Sequence, residues 1–425
     1  MKVVIINKSD STGGAAVVSL RLMNALRDAG IDAHMLVAEK LGDSPFVELA
    51  DTQVSIKRAF MAERLKIFMA NGMNRQTLFR IDTASDGLPL WRHRRVREAD
   101  VICLGWVNQG MLSFRGLRKL VETGKPVVWT MHDMWNLTGI CHHAGDCMRY
   151  ASSCGDCPLL GSRSAPDDLS ARIWARKKEL YGFQGIRFVA VSRWLREKAA
   201  CSSLLSSRLP EVIPNPFPLD MTSGGDRRGS DGKICLLIGA ARLDDPVKGL
   251  PVLVEATRVL ADEYPEEAAG LKLVTFGEVK NPDALRGFGI DHLHLGRIKG
   301  REALAATYAG ADIVVSSSLY ETLPGTLVEA QACGCVPVGF DRGGQRDIID
   351  DGSTGVLVEF GNTPREAACN LAEGIRRGIS LSADPDVRRR MRRSVEERFS
   401  SEAVARKYIA LFENMLGSDH DVPLR

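Results

Sequence analysis

The sequence predicts an α/β protein built from two doubly wound domains in series that face each other across a cleft, and three observations predict it. Short β-branched runs alternate with longer amphipathic stretches, the rhythm of buried parallel strands joined by helices. That rhythm stops before residue 217 and restarts at residue 234. A chain of 425 residues is also too long for one ordinary core and fits two domains of roughly 200 residues each.

Taken in order, the strand-like runs of the first domain, residues 1–217, are Val3 to Asn7, Ala33 to Val37, Val101 to Trp106, Val127 to Met131 and Phe188 to Val191. The second domain, 218–399, repeats the pattern with Ile234 to Gly239, Leu271 to Gly277, His292 to Leu295, Ile313 to Ser316, Val336 to Phe340 and Val356 to Val358. Between them, Ile213 to Pro218 is rich in Pro, and Ser223 to Gly232 is polar and rich in Gly, which is linker chemistry. The stretch from about residue 400 to 418 reads as a helix expected to pack back on the first domain. Such Rossmann-like sheets bind ligands at the carboxyl ends of their strands, so the motifs are sought there.

Apolar residues are 44% and charged residues 26% of the chain, the balance of a soluble globular protein. A formal charge of +3 gives no reason to invoke nucleic acid. The opening apolar run, about five residues, is too short for a signal peptide or a membrane span, so a cytoplasmic protein with reduced thiols is expected.

Three segments carry phosphate-handling chemistry. Gly13 and Gly14 follow the first strand and open a helix, where close backbone approach and free N–H groups attract anionic oxygens. The segment is not the G-x-G-x-x-G fingerprint, which disfavours a nicotinamide dehydrogenase, and a tight entry turn is its plain alternative. Arg242 and Lys248 leave a strand on a Gly-bounded loop, as solvated charges or as two cations for a pyrophosphate. Ser316 to Ala332 has a strand end, a loop with Glu321, Pro324 at the first helical position, amides at Gly325 and Thr326 free for a phosphate, and Glu329 one turn on. Glu329 can accept from ribose hydroxyls and Glu321 from a sugar hydroxyl; the alternative is a helix start with two surface carboxylates.

At these residues the chain resembles retaining glycosyltransferases of family 4, which carry a Glu, seven residues, then a Glu, here Glu321 and Glu329. The resemblance extends over Gly13-Gly14, Thr130-Met-His132-Asp133, Ala190-Val-Ser192, Ile213-Pro-Asn215, Arg242 with Lys248, Leu295-Gly296-Arg297 and Gly343-Gly344. It implies the GT-B fold and transfer of a sugar from a nucleotide diphosphate sugar to a glycan or lipid-linked acceptor, in assembly of bacterial surface polysaccharide. Arg242 and Lys248 would bind the diphosphate, Glu329 the ribose, Glu321 the transferred sugar and Gly14 a phosphate; His132 would lie against the sugar, and the backbone of Ile298 would meet the base. One departure is Leu323-Pro324 where the family has Phe-Gly, which removes one N–H from the helix start. The pair Asp384 and Asp386 precedes a basic helix and reads as an N-cap with first-turn acids rather than a metal site. No cofactor is therefore expected at the donor, and retention of configuration is the outcome that the resemblance implies. A nucleotide-sugar epimerase of similar build and a non-catalytic nucleotide-sugar binder are the rival readings.

Two features lie outside that scheme. Cys141, Cys147, Cys154 and Cys157, with His142 and His143 nearby, offer either a structural zinc site or free thiols and a redox-formed pair. From Ile56 to Met73, apolar Phe60, Met61, Leu65, Phe68 and Met69 recur at helical spacing among Lys57, Arg58, Arg64 and Lys66. This reads as a helix packed on the core or as one in peripheral contact with an anionic membrane face, an option that the basic run Trp91 to Arg97 supports.

Overall fold

The computed structural model describes residues 1–219 and 232–418. The predicted linker segment from Ser223 therefore lies outside the described residues, apart from Gly232. The chain forms two compact units, one of Met1–Pro216 with the chain from Val404 onward, the other of Phe217–Ala403.

The first unit runs β1 (Lys2–Ser9), α1 (Gly14–Asp28), β2 (Asp32–Glu39), β3 (Val47–Leu49), α2 (Gln53–Ala70), α3 (Arg94–Glu98), β4 (Val101–Leu104), α4 (Phe114–Val121), β5 (Val127–Met131), α5 (Leu169–Tyr181), β6 (Ile186–Ala190), α6 (Arg193–Ala200) and β7 (Glu211–Val212). These strands make a parallel sheet in the order β3-β2-β1-β4-β5-β6-β7. Strands covered by helices on both faces must be apolar throughout, and β4 and β5 are buried along their whole length. Helix starts are fixed by side-chain caps: Ser113, Asp168 and Ser192 accept first-turn N–H groups of α4, α5 and α6.

The second unit runs β8 (Ile234–Arg242), α7 (Leu250–Glu263), α8 (Pro265–Ala269), β9 (Leu271–Glu278), β10 (Asp291–His294), α9 (Arg301–Ala309), β11 (Ile313–Ser316), α10 (Gly325–Ala332), β12 (Val336–Phe340), β13 (Val356–Val358), α11 (Pro364–Ser382) and α12 (Val387–Phe399). Its parallel sheet has the order β10-β9-β8-β11-β12-β13. In both sheets the chain therefore winds outward one way from the first strand and then reverses, which leaves a crevice at the strand ends between β1 and β4 and between β8 and β11. The last helix, α13 (Ser401–Ser418), joins the core of the first unit: Val404, Tyr408 and Phe412 pack with Val3, Ile5 and Val37, and the Tyr408 hydroxyl bonds the Thr130 hydroxyl at 2.8 Å.

Several expectations are corrected. The strands β3 and β7 have no sequence signal because two or three edge residues are too few to show a pattern. The run expected to continue to Trp106 ends as a strand at Leu104; the Trp106 N–H turns to Asn7 Oδ1 at 2.7 Å, while its carbonyl still accepts the Lys8 N–H at 2.9 Å. Pro324 is the N-cap of α10, with Gly325 as the first helical residue, so proline's missing N–H lies outside the helix. Asp386 makes no side-chain cap on α12; Asp384 accepts the Asp386 N–H at 2.9 Å and an Arg390 N–H at 2.6 Å.

Candidate functional site

In the second unit the candidate residues of β8 and β11 meet at the crevice. After β8, a short turn Pro246–Lys248 is started by Asp245, whose carboxylate accepts the Val247 N–H at 3.1 Å. The turn is fastened to the chain leaving β11. The Leu319 N–H donates to Val247 O at 2.8 Å and the Ser317 hydroxyl to Lys248 O at 2.8 Å. Gly249 permits this approach, since its φ is +64° and a Cβ there would sit 2.0 Å from Ser317 O. Held in this way, the Lys248 ammonium pairs with Glu321, whose Oε1 also accepts the Ser318 hydroxyl at 3.2 Å.

The loop bearing Glu321 is supported from below by Gly343 and Gly344. The Gly344 N–H donates to Glu321 O at 2.9 Å, and a Cβ on either glycine would strike the carbonyl of Glu321 or Thr322. The paired glycines thus set the height of the carboxylate. Immediately after the loop, α10 begins without a side-chain cap, and the Gly325 and Thr326 N–H groups have no acceptor among the described residues. One turn on, Glu329 accepts the Tyr308 hydroxyl at 3.4 Å; burial and the Glu329 charge raise that phenol well above its ordinary value.

Arg242 ends β8 and is oriented from the side. Its Nε–H donates to Asp244 Oδ1 at 3.0 Å, while Asp244 Oδ2 accepts the Lys280 and Asn281 N–H groups. Ile298 lies on the loop after β10, two strands from β8, and joins none of these hydrogen bonds. The structure therefore brings Lys248 to Glu321 directly and keeps Arg242 and Ile298 on neighbouring loops.

In the first unit, Gly13 has φ of +90° and precedes α1 without a side-chain cap, and the space where a Cβ of Gly13 or Gly14 would point is open. His132 directly follows β5 and lines a small cavity with Ser19, Gly105, Thr130, Asn215 and Tyr408. Burial pushes its pKa down to about 4 against the pull of Asp133, so the ring is neutral at neutral pH.

The sequence reading missed a buried polar network beside it. Asp133 accepts the Trp106 indole N–H at 2.8 Å and the Trp135 N–H at 2.7 Å, and pairs with His142 Nδ1 at 2.8 Å. Burial alone would raise its pKa, but His142 and these hydrogen bonds hold it at about 2. Behind it, Arg64 donates to Asp82 Oδ2 at 2.7 Å, and Asp82 also accepts the Gln109 N–H at 2.9 Å. Glu63 accepts the Gly110 N–H at 2.6 Å; burial and Asp82 raise its pKa. Lys177 is buried over the Trp135 ring, 3.4 Å from its centre, and donates to Thr138 O at 3.0 Å; burial brings it down to about 7. One signal was available in the chain: Ile56, Phe60, Glu63 and Ile67 share a helix face, which places Glu63 inward.

The sequence reads Cys141, Cys147, Cys154 and Cys157 as a structural zinc site or as free thiols and a redox-formed pair, and the structure shows no disulfide among them. All are free, and among the described residues no three His, Cys, Asp or Glu side chains gather so as to hold a metal ion. His142 is committed to Asp133. Burial pushes Cys141 up to about 12 and Cys154 up to about 11, so both are thiols at neutral pH. The Cys154 thiol accepts the Gly139 N–H at 3.2 Å, a contact that ties the loop to itself.

Comparison with known proteins agrees with this architecture. Residues 12–221 match the model of "Glycosyltransferase Family 4", and residues 232–377 match that of "Glycosyl transferases group 1". The putative colanic acid biosynthesis glycosyl transferase WcaC of Escherichia coli is 24% identical over 82% of this chain and 85% of that protein. The D-inositol 3-phosphate glycosyltransferase of Geodermatophilus obscurus is 32% identical over 40% of this chain, and the match spans only 41% of that relative's length. Among solved structures, Anabaena HepE in complex with UDP superposes with a TM-score of 0.60 at 14% identity, covering 97% of this chain and 100% of that one.

Proposed function

The chain belongs to glycosyltransferase family 4, with the GT-B fold, and on that footing we propose that it transfers a sugar from a nucleotide diphosphate sugar to a glycan or lipid-linked acceptor with retention of configuration. The observation that carries the reading is the convergence at the β8–β11 crevice: Lys248 paired with Glu321, uncapped amides at Gly325 and Thr326, and Glu329 one turn on. Cations and free N–H groups there match a diphosphate, and two carboxylates at fixed spacing match ribose and sugar hydroxyls. That HepE has been solved with UDP and with UDP-glucose supports a uridine nucleotide as the first donor to try.

In this proposal Lys248, Arg242 and the α10 amides stabilise the charge that grows on the leaving diphosphate, in place of a divalent metal. The bond from the anomeric carbon to the phosphate oxygen breaks and the acceptor oxygen bonds the same face. The acceptor's proton passes to the leaving phosphate oxygen. Glu321 holds the sugar by its hydroxyls once Lys248 turns to phosphate. Glu329 holds the ribose, and the backbone at Ile298 receives the base. Gly13, Gly14 and His132 keep the roles that the resemblance implies, His132 as a neutral hydrogen-bonding ring. Likeness to WcaC supports a place in surface polysaccharide assembly. The test is transfer from a nucleotide sugar to an acceptor, followed by NMR of the product. Retained configuration and a rate unchanged by EDTA are expected; an inverted product overturns the mechanism.

A further inference from the structure

Helix α2 is inside-out for a protein surrounded only by water. The face turned to the core carries Ile56, Glu63, Arg64 and Ile67, with Phe60 and Phe68 half-buried, so its only carboxylate is buried. The outward face carries Val54, Met61, Leu65 and Met69, each at least 56% exposed. With Arg58 these recur at steps of three or four residues and form one stripe along the helix. The chain beyond the helix extends it with Met73 and Phe79, 68% and 56% exposed.

The exposed charged residues of α2 and of residues 71–80 are all cations. Lys57 and Arg58 are exposed on α2, and Arg75 and Arg80 are exposed beside Met73 and Phe79. None of the four makes an ion pair among the described residues. Lys66 alone is neutralised, by Asp86 at 2.7 Å. The cost of burying Glu63 and Arg64 is met inside by Asp82 and backbone groups, so the core does not need the outward residues. Among the described residues no helix is long and apolar enough to cross a membrane, and a stripe of this kind fits a surface rather than a span.

We propose that the outward face of α2, continued by Met73 and Phe79, docks on an anionic bilayer, its apolar side chains entering the acyl boundary and Lys57, Arg58, Arg75 and Arg80 resting among the phosphates. The commitment to a bilayer rests on this pairing of unpaired cations with flexible apolar side chains. The inference deepens the reading of the acceptor as lipid-linked, because docking would confine the protein to the plane that holds such an acceptor.

The test is flotation of the full chain with vesicles of phosphatidylcholine alone and of phosphatidylcholine mixed equally with phosphatidylglycerol. Binding is expected only to the anionic vesicles and weakens with added salt. It should fall about tenfold or more in Leu65→Ser/Met69→Ser and in Lys57→Gln/Arg58→Gln. These side chains are exposed, so melting temperature and nucleotide-induced stabilisation should stay as in the parent. Absence of binding to anionic vesicles, or equal binding by parent and variants, overturns the proposal. A parent dimer that Leu65→Ser/Met69→Ser dissolves would assign the face to a second copy and also overturn it. Flotation needs no donor, so loss of nucleotide binding with vesicle binding kept would sink the transferase reading alone.

Discussion

Lys248 and Glu321 meet at the strand ends of the second unit with 29% and 19% of their side chains exposed, whereas Arg64 and Asp82 meet inside the first unit with 6% and 0%. Each joins a cation to a carboxylate, with Glu63 a second carboxylate 3.5 Å from Arg64, but their surroundings give them different work. Arg64 is closed in by carbonyls of Leu78 and Ile81 and cannot exchange its partner without exposing a buried charge. Lys248 keeps part of its side chain open to solvent, so a phosphate can reach the ammonium without exposing a buried charge. The comparison teaches that the second unit keeps charge available at its crevice, and the first spends charge on shape.

The largest expected effect is on the open pair. Lys248→Ala should lower kcat for sugar transfer by about 10²–10³-fold and change stability by no more than about 1 kcal/mol, read by steady-state kinetics beside a urea titration. A large stability loss would mean that the open pair is structural after all. Next in size is Arg64→Ala, which strands the Asp82 charge and should cost about 3–5 kcal/mol in the same titration. A cost below about 1 kcal/mol would erase the contrast between the two pairs.

Gly249→Ala tests how the open site is built. A left-handed φ and the Ser317 carbonyl both oppose a Cβ, so about 1–3 kcal/mol of stability should be lost, and nucleotide affinity should fall as the Lys248 turn is pushed off β11. Unchanged melting would show that the turn is held by other contacts. The smallest effect per step is a pH slope. The pKa of His132 is about 4 in the fold and ordinarily about 6.5, so the unfolded chain binds the extra proton between those values. Folding stability should therefore fall as pH drops from about 6.5 to about 4, by up to about 1.4 kcal/mol per unit. His132→Gln should flatten that slope in urea titrations at stepped pH; an equal slope in the variant would assign the acid sensitivity to other groups.

The same contrast explains what the chain disclosed in one dimension. Glycines, the Glu321 and Glu329 spacing, and β-branched runs are local signals, and β5, β11, β12 and β13 begin and end where those runs do. The reason for Gly343 and Gly344 needed the folded loop, because their contact is with Glu321 and Thr322, some twenty residues away. The polar network of the first unit was hidden for a similar reason. Glu63, Asp82, Asp133 and Lys177 come from four separate segments, and only tertiary packing decides that such charges are buried. Cys141 to Cys157 were ambiguous for another reason: their spacing permits both a tetrahedral site and free thiols, and which side chains gather is decided by the fold of the loop, where no disulfide joins them.

The central claim, that the β8–β11 crevice holds the diphosphate of a nucleotide sugar, is tested most directly by calorimetric titration of UDP, GDP, ADP and dTDP into the full chain, its Lys248→Ala variant and its Glu329→Ala variant. Saturable binding of one nucleotide by the parent, weakened about tenfold or more in each variant, is the predicted result. Binding equally strong in both variants, or none by the parent to any of the four, would contradict the claim.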